Sequence, residues 1–241
     1  MKVSERWYSD RTQREMTLVR WGHYGVPVLL FPTAGGDAEE AERHHLVDHL
    51  MPMVEAGRIK VYACDSTAGR AMARHEGSTE HRMWLFNQYQ QAVAHEVVPA
   101  IHADSHGPQP VVVAGASIGA FNSLAMICRY PHLFSAAIGM SGTYRVEQFI
   151  PGPVTEDWFY ASPLHFLPGL DGPALDLLRR RFVVLASGSG KWEDVGESWA
   201  AAHVLGQKGI PNRVDDWGPR YDHEWPTWWE MLPLYLDDLV P

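Results

Sequence analysis

Only two cysteines, Cys64 and Cys128, occur in 241 residues, and no C-x-x-C or other zinc spacing accompanies them, which excludes a disulfide framework and a metal ribbon. Each reads as a buried free thiol. Basic residues are also scarce: 20 Lys and Arg face 29 Asp and Glu, a formal charge of −9. Nucleic-acid binding needs clustered cations to meet phosphates, so that class is excluded. The longest apolar runs, residues 26–31 and 111–116, fall far short of the roughly 20 residues of a membrane span. Residues 1–10 mix charges with Trp7 and Tyr8 and carry no apolar stretch of signal-peptide length, so a cytoplasmic location is expected. Repeats, low-complexity tracts and linkers are missing too, and a single domain over residues 1–241 is expected.

What is present is a regular alternation. Short β-rich apolar runs are followed by longer segments of helical period, the pattern of a mostly parallel central sheet with helices on both faces, and hence of an α/β fold. Strands are expected at residues 16–21, 26–31, 59–64, 111–115, 136–141 and 182–187, with a further one at 212–216. Asp37 is expected to cap a helix running to residue 55, with Glu39, Glu40 and Glu42 at the positive end of its dipole. Other helices are expected over about 80–102 and 117–129, the last stopped by Pro131. Residues 143–170 combine Pro151, Pro153, Pro163 and Pro168 with Trp158, Phe159, Tyr160 and Phe166. So long an irregular stretch reads as a short cap-like insertion whose aromatics line a substrate pocket.

The strongest chemical signal is Gly115-Ala116-Ser117-Ile118-Gly119, which follows the apolar run Val111 to Ala114 and opens a helix. Strand, G-x-S-x-G and helix together form a nucleophile elbow, in which a sharp turn presents the serine and only small residues fit two positions to either side. Ser117 is therefore the candidate nucleophile. The amide of Ile118 lies at the helix start, where an alkoxide would develop, and is the first candidate oxyanion donor. The second should come from the loop after an early strand, here Pro32-Thr33-Ala34-Gly35-Gly36-Asp37, with Ala34 the first choice and Gly35 its neighbour.

A serine nucleophile needs a base, and thirteen histidines compete. His223 follows the last expected strand and precedes the closing helix, which suits the order serine, acid, histidine. The acid must then lie between the two. Lys191-Trp192-Glu193-Asp194 follows the strand at 182–187, so Glu193 ranks first, Asp194 second and Glu197 third. Asp222 adjoins His223, but neighbouring side chains usually diverge. His45 and His49 share a helix face without the H-E-x-x-H pattern of a metal site. Gly188-Ser189-Gly190-Lys191 lacks the Ser or Thr that ends a phosphate loop, and no nucleotide site is read there.

The stretches from Glu96 through the elbow to Tyr130-Pro131-His132-Leu133-Phe134, and from Lys208-Gly209-Ile210-Pro211 to Asp222-His223-Glu224-Trp225-Pro226, resemble the esterase D family of α/β-hydrolases. That family includes S-formylglutathione hydrolases, feruloyl esterases and mycolyltransferases. The resemblance implies Ser117 as nucleophile, His223 as base, and the amides of Ala34 and Ile118 as oxyanion hole. Two departures stand out. Pro32-Thr33-Ala34 occupies the place of an H-G-G-like run, and Lys191 that of the acid in G-x-x-D, so the acid has moved to Glu193 or Asp194 or the triad is incomplete.

The expected activity is that of a serine carboxylesterase on small or medium acyl esters, with a small-molecule ester as partner and no metal or organic cofactor. Acyl transfer on the same scaffold and a non-catalytic hydrolase-like binding protein are the alternatives. The residues do not reveal the substrate or the oligomeric state.

Overall fold

The computed structural model describes residues 2–240. Among these, eight strands form one sheet: β1 (Lys2–Ser9), β2 (Arg14–Trp21), β3 (Val26–Phe31), β4 (Ile59–Cys64), β5 (Val111–Ala116), β6 (Phe134–Met140), β7 (Phe182–Ser187) and β8 (Asn212–Asp216). Their spatial order is β1-β2-β4-β3-β5-β6-β7-β8. Only the β1–β2 and β2–β4 pairings are antiparallel; the others are parallel. The central β5 is buried at every position, which is why its sequence is continuously apolar instead of alternating. At the far edge β1 is polar and largely exposed, a composition that discourages an unpaired strand edge from pairing with another sheet.

The helices are α1 (Glu40–Arg43), α2 (Leu46–Glu55), α3 (Thr67–Ala73), α4 (Thr79–Ala92), α5 (Val98–Asp104), α6 (Ile118–Arg129), α7 (Glu156–Ala161), α8 (Pro163–Phe166), α9 (Gly172–Leu178), α10 (Val195–Gln207) and α11 (Trp225–Leu239). Successive strand residues point to opposite faces, so each strand feeds two cores. Val111, Val113 and Leu29 pack with Phe86, Phe121 and Leu124 from α4 and α6. Val112, Ala114, Val28 and Leu30 pack instead with Leu50, Trp228 and Leu232 from α2 and α11. At roughly 1.5–3 kcal/mol for each fully buried large apolar side chain, these two layers are the main source of stability.

Four sequence expectations need correction. The helix from Asp37 to residue 55 is two helices, because His45 takes a left-handed conformation (φ 62°) between them. That break is packed, with the His44 ring stacked on Trp225 at 4.5 Å and its carbonyl accepting from Trp229 Nε1. Asp37 does not cap α1; its Oδ1 accepts the Glu39 amide and the Arg43 guanidinium. The insertion at 143–170 is not structureless, since α7, α8 and two short 3₁₀ turns occupy it. Finally, Trp158 does not line a pocket. It is fully buried, stacked on Phe121 at 5.7 Å and edge-on to Phe86.

Candidate active site

Because β3, β5, β6, β7 and β8 run parallel, the loops after them gather at one edge of the sheet, where α/β proteins build their sites. Ser117 stands directly after β5 with φ 57° and ψ −119°, a conformation that non-glycine residues hold only when their surroundings enforce it. Its amide donates to the Met140 carbonyl at 2.9 Å, and its carbonyl accepts the Thr143 amide at 3.3 Å. The second glycine of the elbow is required by contact. A Cβ on Gly119 would overlap the Phe31 carbonyl oxygen and press on that of Pro32, so the loop after β3 lies directly against the elbow.

That contact brings Ala34 beside the serine. Ala34, Ser117 and Ile118 line one open cleft of about 580 Å³, with Met72, His75, Gln148 and Phe149 completing much of its wall. Ile118 is the first residue of α6, so its amide has no acceptor within the helix, and the helix dipole adds positive potential there. The Ala34 amide likewise donates to no protein acceptor among the described residues. Two free amides thus share a cleft with a strained serine.

The loops after β7 and β8 carry the other two candidates. The His223 amide donates to the Lys191 carbonyl at 3.0 Å, and Asp222 Oδ1 accepts the Lys191 amide at 2.6 Å, which ties the two loops together. Glu193 Oε2 lies 3.9 Å from His223 Nδ1, with the Glu193 side chain 1% exposed. Its carboxylate accepts the hydroxyls of Ser141 at 2.5 Å and Ser187 at 2.9 Å. Ser141 Oγ in turn accepts from Trp228 Nε1 at 2.8 Å, and the Trp228 ring meets the His223 ring edge-on. Among the described residues no hydrogen bond joins Ser117 to His223, and His223 is not part of the cleft wall. Catalytic hydrogen bonds often close only in the substrate complex.

The other acids are occupied elsewhere. Asp194 caps α10 by accepting the Gly196 amide at 2.9 Å and is mostly exposed. Glu197 is buried and accepts the amides of Tyr144 and Arg145, fixing the chain after β6. Burial next to that carboxylate pushes the Tyr144 phenol well above its ordinary range. His45 and His49 pack against Trp229, and no group of three or more metal-ligating side chains converges among the described residues. No described helix is long and apolar enough to cross a membrane.

Sequence reasoning missed Ser141, Ser187 and Glu40. The two serines carried a usable signal, since each ends an expected strand at the edge where sites form. Glu40, whose carboxylate accepts from Thr33 in the Ala34 loop, carried none.

The family model described as "Putative esterase" matches residues 53–233, well over half of the chain. Among solved structures, a ferulic acid esterase matches with TM-score 0.74 at 15% identity, covering 99% of this chain and 97% of the other. An S-formylglutathione hydrolase from Agrobacterium tumefaciens gives 0.73 at 13% identity, covering 98% and 93%. The Staphylococcus aureus fluorophosphonate-binding serine hydrolase F gives 0.74 at 12% identity, covering 99% and 98%. Identities this low establish the common fold alone. No curated protein matches the chain significantly. The fold and the family match agree, and the chain belongs to the esterase family of α/β-hydrolases.

Proposed function

We propose that the protein is a serine carboxylesterase for small or medium acyl esters, built as a single domain over residues 1–241. Ser117 Oγ attacks the ester carbonyl while His223, through Nε2, takes the hydroxyl proton and later gives it to the leaving alcohol. The amides of Ala34 and Ile118 hold the negative oxygen of the tetrahedral intermediate. Glu193 faces Nδ1 and stabilises the imidazolium that forms during attack. Water, activated by the same base, then releases the acid from the acyl-enzyme.

One observation carries this reading: the strained Ser117 shares its cleft with the unengaged Ala34 amide and the helix-initial Ile118 amide. The position of Glu193 against His223 supports the same roles. The test is a panel of p-nitrophenyl esters differing in acyl length. Wild type should turn over several of them, and Ser117→Ala or His223→Ala should lose turnover by about 10⁴-fold or more, because each removes a member of one cooperating unit. A folded Ser117→Ala variant with undiminished turnover would contradict the assignment.

A further inference from the structure

We propose that Glu40 is a positioning residue that aims the Ala34 amide at the reacting carbonyl oxygen; the inference rests on the role given to Ala34 above. A hydrogen-bond donor accelerates acyl transfer only if it is already aimed where charge will develop. The loop that carries Ala34 has no regular structure to aim it, so something else must hold it.

Glu40 does so from the first turn of α1. It is 6% exposed, and a carboxylate that far from water is tolerated only when its oxygens are bonded. Both are bonded to one residue of the loop. Oε2 accepts the Thr33 amide at 2.7 Å, and Oε1 accepts the Thr33 hydroxyl at 2.6 Å, the short lengths of charge-assisted bonds. The carboxylate also lies directly under the turn. The Gly36 amide closes that turn on the Thr33 carbonyl at 3.0 Å, and a Cβ on Gly36 would collide with the Glu40 carboxylate. Ala34 sits between these anchors, with its carbonyl side against Gly69 of α3. Thr33 and Gly36 are held, and the Ala34 amide between them stays free.

A negative charge beside an oxyanion hole does not help the oxyanion. What Glu40 contributes is therefore geometry, and a neutral side chain of the same shape can supply it. Glutamine keeps an oxygen for the Thr33 amide and offers an N–H to the Thr33 hydroxyl. Alanine leaves both Thr33 groups without a partner.

The test uses the full-length protein and p-nitrophenyl butyrate, with wild type, Glu40→Ala and Glu40→Gln compared alongside their fluorophosphonate labelling rates. Glu40→Ala should lower kcat by about 10- to 100-fold with KM within about twofold, a part of the 10²–10³ that a whole donor supplies. Labelling of Ser117 should slow by the same factor, because the phosphonyl oxygen uses the same hole. Glu40→Gln should recover most of that loss. An unchanged kcat in Glu40→Ala, a loss confined to KM, or Glu40→Gln as impaired as Glu40→Ala would each overturn the proposal. If Glu40→Ala does not fold, Thr33→Val decides, since it removes only the hydroxyl contact: a lower kcat at unchanged KM supports the proposal, and an unchanged kcat overturns it. Failure of the esterase reading looks different. Wild type would then neither hydrolyse the ester nor label at Ser117, and the proposal would fall with it.

Discussion

Glu193 Oε2 stands 3.9 Å from His223 Nδ1, beyond hydrogen-bond length, while the hydroxyls of Ser141 and Ser187 occupy its two oxygens. The carboxylate is thus buried and hydrogen-bonded next to an imidazole that, in the proposed mechanism, gains a proton during attack. Its attraction is strongest at that moment, the kind of interaction that raises kcat. Glu193→Gln should lower turnover by about 10³–10⁴-fold with a small change in KM. Asp194→Ala should leave kcat within about twofold and cost about 0.5–2 kcal/mol of stability, because Asp194 caps α10. Steady-state kinetics and thermal unfolding on both variants check this. Comparable losses of turnover would mean that the acid has been misassigned.

Phe149 and Trp158 lie nine residues apart in the same insertion and should respond in opposite ways. Trp158 is enclosed by Phe86 and Phe121, so Trp158→Ala should destabilise the fold by about 3–5 kcal/mol and affect every ester alike. Phe149 is half exposed on the cleft wall. Phe149→Ala should alter the ranking of acyl chain lengths in kcat/KM and shift the melting temperature little. A ranking changed by Trp158→Ala and untouched by Phe149→Ala would show that the substrate lies elsewhere.

The aromatic content of residues 143–170 was visible in the sequence, but not which rings turn inward. That depends on Phe86 and Phe121, which come from α4 and α6, and no local pattern reports it. The elbow was legible because its demands are local: a buried strand, small residues about Ser117 and a helix after it. The break at His45 was not, since it is fixed by Trp225 and Trp229 nearly two hundred residues later. β1 escaped notice for another reason. Most of this edge strand is exposed and polar, so no apolar alternation marks it in the sequence. Glu40 looked like one of three acids at a helix start, because its contact with Thr33 depends on how the chain folds back.

Burial pushes the Cys64 thiol from its ordinary 9.0 up to about 12, and Cys128 is shifted in the same direction. The folded chain holds these protons to higher pH than the unfolded chain does. The resulting stability is fully present below about pH 9 and is lost as pH rises towards 12. Thermal midpoints should therefore fall over that interval, and the fall should be smaller in Cys64→Val. At pH 8 a disulfide-exchange reagent should find no reactive thiol in the native protein and two after unfolding. Rapid reaction of either cysteine in the folded protein would contradict the burial.

The most direct test of the proposed chemistry is to locate the covalent adduct. The protein is treated with a fluorophosphonate, digested and mapped by mass spectrometry. The account predicts one equivalent of label on the peptide containing Ser117, and none on folded Ser117→Ala. Label on another serine, persisting in Ser117→Ala together with ester turnover, would contradict it.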